Sequence, residues 1–304
     1  MVDKILYKTL KKTFDIKENE RVLIVTDTIL EKIAEKFRQA AAMLTKNVNM
    51  ITIEPTGAPG KEPKKEVAEE MKKYDVLLLI TEFSLSHTDA RRNAKKCGAR
   101  IASLPGFTEE MIPALDIDYE KMKKEIEKIF YLVGKKRNFT VSSPSGTDLT
   151  FRARKCMDDT GILTEKGAFA NLPAGEFTIH PVNMNGLLVI DSFKDVVTEP
   201  LKAVIKNSRL QDLEGKDADD FLKLLIDNSA KNIAEFGIGT NPKAKITGKT
   251  LMDEKVIGTC HIAFGNDLSF GGTNKSSVHL DTLVFKPTIY ANDTLIMKNG
   301  VKKW

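Results

Sequence analysis

The sequence predicts an α/β N-terminal domain with an open, mostly parallel sheet, followed by an α+β C-terminal domain carrying a metal site. Three observations lead there. Short apolar runs alternate with amphipathic stretches through roughly the first 130 residues. After that the pattern changes to hairpin-like strand pieces. Finally, two of only four histidines fall with an aspartate in the last quarter of the chain.

The elements follow in order. Residues 22–26 are an apolar run and 29–44 have helical periodicity. Residues 48–53 read as a second strand, and a Pro/Gly-rich loop at 55–63 leads into a helix at 66–74. The run 76–80 is apolar throughout, as a strand buried on both faces should be. A short helix at 89–97 precedes a strand at 99–104. Strands alternating with helices imply parallel pairing through crossover helices, a doubly wound sheet. A helix at 119–134 reads as the hinge, so the expected domains are 1–134 and 135–304. Beyond it, residues 138–154 form a hairpin around Ser145-Gly146-Thr147-Asp148. Strands at 177–182, 186–190, 203–205, 256–264 and 278–285 follow, with one helix at 217–230.

Composition narrows the function. With 41% hydrophobic and 29% charged residues the chain is globular, not disordered. The net charge of +5 comes from 47 basic against 42 acidic residues. Lysines interleave with glutamates, as in Lys61-Glu62-Pro63-Lys64-Lys65-Glu66, which suits solvated helix faces and argues against nucleic-acid binding. Cys97, Cys156 and Cys260 are far apart and form no Cys-x-x-Cys, which excludes a disulfide framework and a thiolate zinc site. No apolar run approaches the ~18 residues of a membrane span, and no secretory pattern opens the chain. The expectation is a cytoplasmic protein with no membrane partner.

The chemistry concentrates in the C-terminal half. Successive strand side chains alternate faces, so His279 and Asp281 project together. His261 shares its strand face with the small Thr259 and Ala263. Glu235 is a lone carboxylate inside an apolar segment, where an unpaired charge is costly. Glu176 follows the turn Pro173-Ala174-Gly175, where backbone can approach closely. Taken singly, Glu235 suits a salt bridge and His261 a hydrogen-bonded core residue. Taken together, Glu176, Glu235, His261, His279 and Asp281 call for an ion. Two imidazoles and three carboxylates suit zinc, cobalt, manganese or iron(II), and five ligands can hold two ions. His180 is kept as a strand residue.

A second element is Thr81-Glu82-Phe83-Ser84-Leu85-Ser86-His87-Thr88-Asp89, at the carboxyl end of an apolar strand and the start of a helix. Ligands bind there in open α/β sheets, and the helix N–H groups favour an anion. Ser86 and His87 are therefore either a plain capping turn or a substrate-binding and a catalytic residue facing the metals across an interdomain cleft.

Several of these stretches resemble one peptidase family. Pro173-Ala174-Gly175-Glu176, Ile233-Ala234-Glu235-Phe236-Gly237-Ile238-Gly239-Thr240-Asn241-Pro242, Gly258-Thr259-Cys260-His261-Ile262-Ala263-Phe264-Gly265 and Gly271-Gly272 before His279-Leu280-Asp281 come in the order of the thermophilic metallo-aminopeptidases. That is the family of aminopeptidase T and aminopeptidase S. The resemblance implies metal roles for Glu176, Glu235, His261, His279 and Asp281, an α/β N-terminal domain, and a homodimer. One departure matters. The peptidases have a tyrosine in the loop after the histidine strand, whereas this loop reads Asn266-Asp267-Leu268-Ser269-Phe270. The element around His87, with Gly98-Ala99-Arg100-Ile101-Ala102-Ser103-Leu104-Pro105-Gly106, is similar to a relative on the same fold, 2,5-dihydroxypyridine dioxygenase. In that ring-opening iron enzyme a histidine in the corresponding place handles a substrate proton. His261, His279 and Asp281 would match its iron(II) triad.

The first reading is therefore a metallo-aminopeptidase with one or two ions that activate water for attack on a peptide, because both glutamates are present and an iron triad needs neither. The alternatives are an iron(II) ring-cleaving dioxygenase and a non-catalytic metal- or small-molecule-binding relative.

Overall fold

The computed structural model describes residues 3–304. The chain divides into two compact units, Met1–Tyr119 with Asp159–Ala174, and Glu120–Asp158 with Gly175–Trp304. The single boundary expected after residue 134 is thus replaced by three crossings. The reason is strand pairing: a short strand from beyond the hinge joins the N-terminal sheet.

In the first unit, helix α1 (Lys4–Phe14) leads into β1 (Val22–Asp27), α2 (Glu31–Ala42), β2 (Val48–Ile53), α3 (Lys65–Met71), β3 (Val76–Ile80), α4 (Asp89–Lys96) and β4 (Arg100–Ser103). The strands lie in the order β2-β1-β3-β4 and all pair in parallel. The open, parallel α/β sheet expected from the alternation is what forms. Every residue of β1, β3 and β4 is buried, which is why these runs lack polar alternation. Leu23, Val25, Leu77, Leu79 and Ile101 pack against Val67, Met71, Ala90 and Ala94 of the crossover helices. The strand that returns to this sheet, Phe169–Asn171, pairs with β4. At three residues it was too short to show a period.

The second unit opens with α5 (Tyr119–Val133), followed by the hairpin β5 (Asn138–Ser142) and β6 (Asp148–Asp159). After the returning strand (β7) come β8 (Glu176–Ile190), β9 (Leu201–Lys206), β10 (Arg209–Glu214), β11 (Ile233–Gly239), β12 (Thr259–Gly265) and β13 (His279–Phe285). A C-terminal meander, β14 (Thr288–Ala291), β15 (Thr294–Lys298) and β16 (Val301–Lys302), adds to the hairpin edge. These strands form one sheet in the order β13-β12-β11-β8-β6-β5-β14-β15-β16, with β9 and β10 branching from β8. The α+β expectation for this half holds. Two pieces expected at 177–182 and 186–190 are one strand, bent at Asn183 and Gly186, whose φ values are +55° and +127°. The helix expected at 217–230 ends at Leu224, and a separate 3-10 turn, Asn228–Lys231, follows. Asp227 causes the restart: its side chain accepts from Ala230 N at 3.0 Å, offering the backbone a local turn in place of the helix. Among the described residues no helix is long and apolar enough to cross a membrane.

Candidate metal centre

The site is built on β8, β11, β12 and β13, and their register assembles it. Because side chains alternate, Glu235, Gly237 and Gly239 share one face of β11, and His261, Ala263 and Gly265 one face of β12. Gly237 lies opposite His261, Glu235 opposite Ala263, and Ala263 opposite Asp281. Gly265 lies opposite His279, and Gly239 opposite Glu176 at the start of β8. Glu176, Glu235, His261, His279 and Asp281 therefore emerge from one face across a floor of glycine and alanine. The small residues are required: a Cβ at Gly237 would overlap the imidazole of His261. Gly175, just before Glu176, has φ +123° and packs within reach of Met122 and Asn241, so it needs glycine twice over.

All five expected ligands meet here. His261 Nε2 lies 3.5 Å from Glu176 Oε2 and 3.5 Å from Glu235 Oε1. His279 Nε2 lies 3.1 Å from Glu235 Oε2 and 3.2 Å from Asp281 Oδ1. Two groups of donors close enough to hold an ion result, Glu176–Glu235–His261 and Glu235–His279–Asp281, with Glu235 common to both. His261 is 1% and Glu235 3% exposed, so these charges have almost no solvent. His279 Nδ1 faces the Asn266 carbonyl at 2.9 Å, and as the donor there it leaves the Nε2 lone pair for the two carboxylates. A lone pair and two anions repel one another unless a proton or a cation sits between them. Glu176 Oε2 and His261 Nδ1 also lack a hydrogen-bond partner though buried. This donor set fits a divalent cation.

Proton affinities agree. Burial alone would lower the pKa of His261, but the hydrogen bond to Glu235 and the charges of Glu176, Glu235 and Asp281 raise it to about 9. The His279 imidazole is likewise lifted well above its usual range; burial opposes this, and Asp281 and Glu235 prevail. The Glu235 and Asp281 carboxyls are held below theirs by the two imidazoles, against the effect of burial. Without metal, then, protons occupy the imidazole nitrogens that a divalent ion would use, so ion and protons compete.

Three features escaped the sequence reading. Lys255 is wholly buried, with Nζ 2.6 Å from Glu176 Oε1 and 2.7 Å from Glu254 Oε1. Its backbone and that of Val256 lie against Gly239, where a Cβ would collide with both. In the sequence, Asp253-Glu254-Lys255 looks like an exposed charged turn. The second feature is Gly237, whose position inside a strand was the available sign of a close approach. The third is Phe270, in the loop where the peptidases have tyrosine. Its ring stacks on His279 with centroids 5.3 Å apart and planes 9° from parallel. His180 is 3.4 Å from Asp267, so it is a partner of that loop and not of the donor groups.

Ser86 and His87 belong to the first unit. Ser86 is buried, with Oγ 2.8 Å from Ser103 Oγ and its carbonyl accepting from Arg91 Nε at 2.7 Å. Thr88 caps α4 by accepting from Arg91 N. His87 is half-buried, and its carbonyl accepts from Arg92 Nη1 at 2.8 Å. The capping turn is real.

A parallel α/β unit and an antiparallel sheet with a buried His/carboxylate cluster that could hold a metal ion define the class of protein. The model of the NicX family, 2,5-dihydroxypyridine 5,6-dioxygenase, matches residues 4–303, and the chain belongs to that family. Among solved structures, 2,5-dihydroxypyridine dioxygenase from Pseudomonas putida KT2440 is similar, with a TM-score of 0.84 at 18% identity over 99% of this chain and 96% of that one. AmpT from Thermus thermophilus is also similar, with a TM-score of 0.69 at 14% identity over 99% and 98%. At these identities the two structures establish a shared fold. No match was found among curated proteins. Membership places the chain among enzymes, and it supports the dioxygenase alternative better than the aminopeptidase put first from the sequence.

Proposed function

We propose that this protein is an iron(II)-dependent ring-cleaving dioxygenase acting on a dihydroxylated aromatic or pyridine ring. The observation that carries this reading is the family match across residues 4–303, taken with the convergence of two imidazoles and an aspartate on the second sheet. His261, His279 and Asp281 would hold the iron, with Glu235 between the two imidazoles. Bound iron(II) supplies the redox partner that molecular oxygen needs before it can add to an aromatic ring.

The chain's own residues do the rest. Hydrogen bonding to the Asn266 carbonyl orients His279, and the Phe270 ring keeps its plane in place. Glu235 holds both imidazoles through separate oxygens. Burial of Glu235 and His261 excludes the water that would hydrate these charges. His87 is proposed to handle a substrate proton, following the resemblance of its element to the dioxygenase.

One observation favours the aminopeptidase instead: Glu176 and Glu235 complete a second donor group, as a two-ion hydrolase requires. Oxygen consumption by anaerobically iron-loaded protein, on addition of 2,5-dihydroxypyridine and dihydroxybenzenes, decides between them. Stoichiometric oxygen uptake is expected. No uptake, together with release of leucine from leucyl amides by the zinc- or manganese-loaded chain, would reverse the assignment.

A further inference from the structure

We propose that Asp267 is a positioning residue for the metal centre: its buried carboxylate ties loop 266–274 closed, and the closed loop fixes the His279 imidazole. The loop follows β12 and leads to β13, whose first residue is His279, so its conformation sets where that ligand begins. Asp267 is 5% exposed, although the next two residues, Leu268 and Ser269, are exposed. Among the described residues its carboxylate pairs with no lysine or arginine; the loop itself and the strands beneath it supply the partners. Oδ1 accepts from Asn274 N at 2.7 Å. Oδ2 accepts from Asn232 Nδ2 at 3.3 Å and lies 3.4 Å from His180 Nε2. The Asp267 backbone closes the same ring, with N donating to the Asn274 carbonyl at 3.2 Å. Its carbonyl accepts from Phe270 N at 2.9 Å and Gly272 N at 3.0 Å. Gly272 shows how tight the closure is: a Cβ there would lie 2.0 Å from Asp267 Cγ, and its φ is outside the left-handed region. Space, not backbone conformation, excludes a side chain.

Two parts of the closed loop touch His279. The Asn266 carbonyl faces its Nδ1 at 2.9 Å, and the Phe270 ring stacks on it with centroids 5.3 Å apart. These contacts lie on either side of Asp267 in the chain, so one carboxylate governs both. Asn274, held by that carboxylate, donates through Nδ2 to the carbonyls of Gly265 at 2.7 Å and Ser229 at 2.9 Å. The loop is thereby tied to the end of β12, opposite His279 in the sheet. Asp267 belongs to neither donor group, so it acts through His279 and not on the ion. A residue that only stabilised the loop would cost folding when removed and leave the affinity of the folded protein for its ion unchanged. A residue that aims the Asn266 carbonyl decides which imidazole nitrogen keeps its lone pair, and so changes both affinity and ligand geometry.

The inference rests on the metal-centre reading but not on oxygen chemistry, and its test reads the bound ion. Full-length protein stripped with chelator is titrated with cobalt(II) in the presence of a competing chelator, and the visible absorption spectrum of the bound ion is recorded. Asp267→Ala is expected to weaken cobalt binding by about 10–100-fold and to alter the spectrum. Asp267→Asn keeps an oxygen for Asn274 N and is expected to stay within about threefold of wild type, with the wild-type spectrum. Wild-type affinity and spectrum in Asp267→Ala, whatever its urea midpoint, would overturn the positioning role. An equal loss in the alanine and asparagine variants would overturn it too, since the shape of the acceptor would then not matter. No cobalt bound by wild type would instead overturn the metal centre on which the proposal rests. Should Asp267→Ala fail to fold, Gly272→Ala decides. Its methyl displaces the carboxylate from Asn274 N while every donor to the ion remains, so weaker binding and an altered spectrum are again expected. Wild-type behaviour in Gly272→Ala would refute the proposal.

Discussion

Gly237→Ala tests most directly how the sheet makes room for the metal centre. The added methyl would overlap the His261 ring, which is 1% exposed and confined between Glu176 and Glu235. In an open strand, glycine to alanine gains about 0.5–1 kcal/mol from reduced backbone freedom. Here overpacking should outweigh that gain, costing about 1–3 kcal/mol. For a unit of this size each kcal/mol lowers Tm by roughly 2–4 °C. Displacing a ligand ring should also weaken metal binding by about 10–100-fold. The assay is urea unfolding of chelator-treated protein, paired with competitive metal titration. His261→Ala supplies the control: with the ring gone, the methyl has space, and Gly237→Ala in that background should be neutral or stabilising. An equal cost in both backgrounds would refute the account.

Other outcomes follow from the same geometry. His279→Ala and Asp281→Asn should each abolish retention of the ion through desalting, measured by metal analysis, because they remove donors from the group of three. The metal-free protein should lose stability as pH rises: the folded pKa of His261 is about 9, above an unfolded value of ~6.5, so its contribution is complete below ~6.5 and disappears as pH passes through about 9. Urea midpoints with chelator at pH 6 and pH 9.5 would show this, and metal retention should move oppositely, weakening in acid as protons displace the ion. Phe270→Ala should lower metal affinity by less than tenfold, since a stacked ring pair contributes about 0.5–1.5 kcal/mol. His87→Ala should leave metal content unchanged while reducing turnover and altering its pH profile; unchanged turnover would remove His87 from the mechanism.

Much of the fold was legible because it is written in local periodicity. The apolar runs at 22–26 and 76–80 became central parallel strands, and 89–97 became the capped helix α4. The returning strand Phe169–Asn171 was not legible, since three residues carry no period and its partner β4 lies 65 or more positions earlier in the chain. The aspartate at 227 ended a helix that periodicity alone would have continued.

The site divides along the same line. The sequence by itself determined the donor chemistry: His279 and Asp281 share a strand face whatever the fold, and Glu235 could not sit unpaired in an apolar segment. Only the tertiary structure decided how those donors are shared. Register between β11, β12 and β13 made Glu235 the common member of two groups. Burial of Lys255 against Glu176, 79 residues away along the chain, depends on a long-range packing that no local charge pattern encodes. A charged triplet looks the same in sequence whether it faces solvent or a carboxylate in the core; which of the two occurs is set by what the rest of the chain brings beside it.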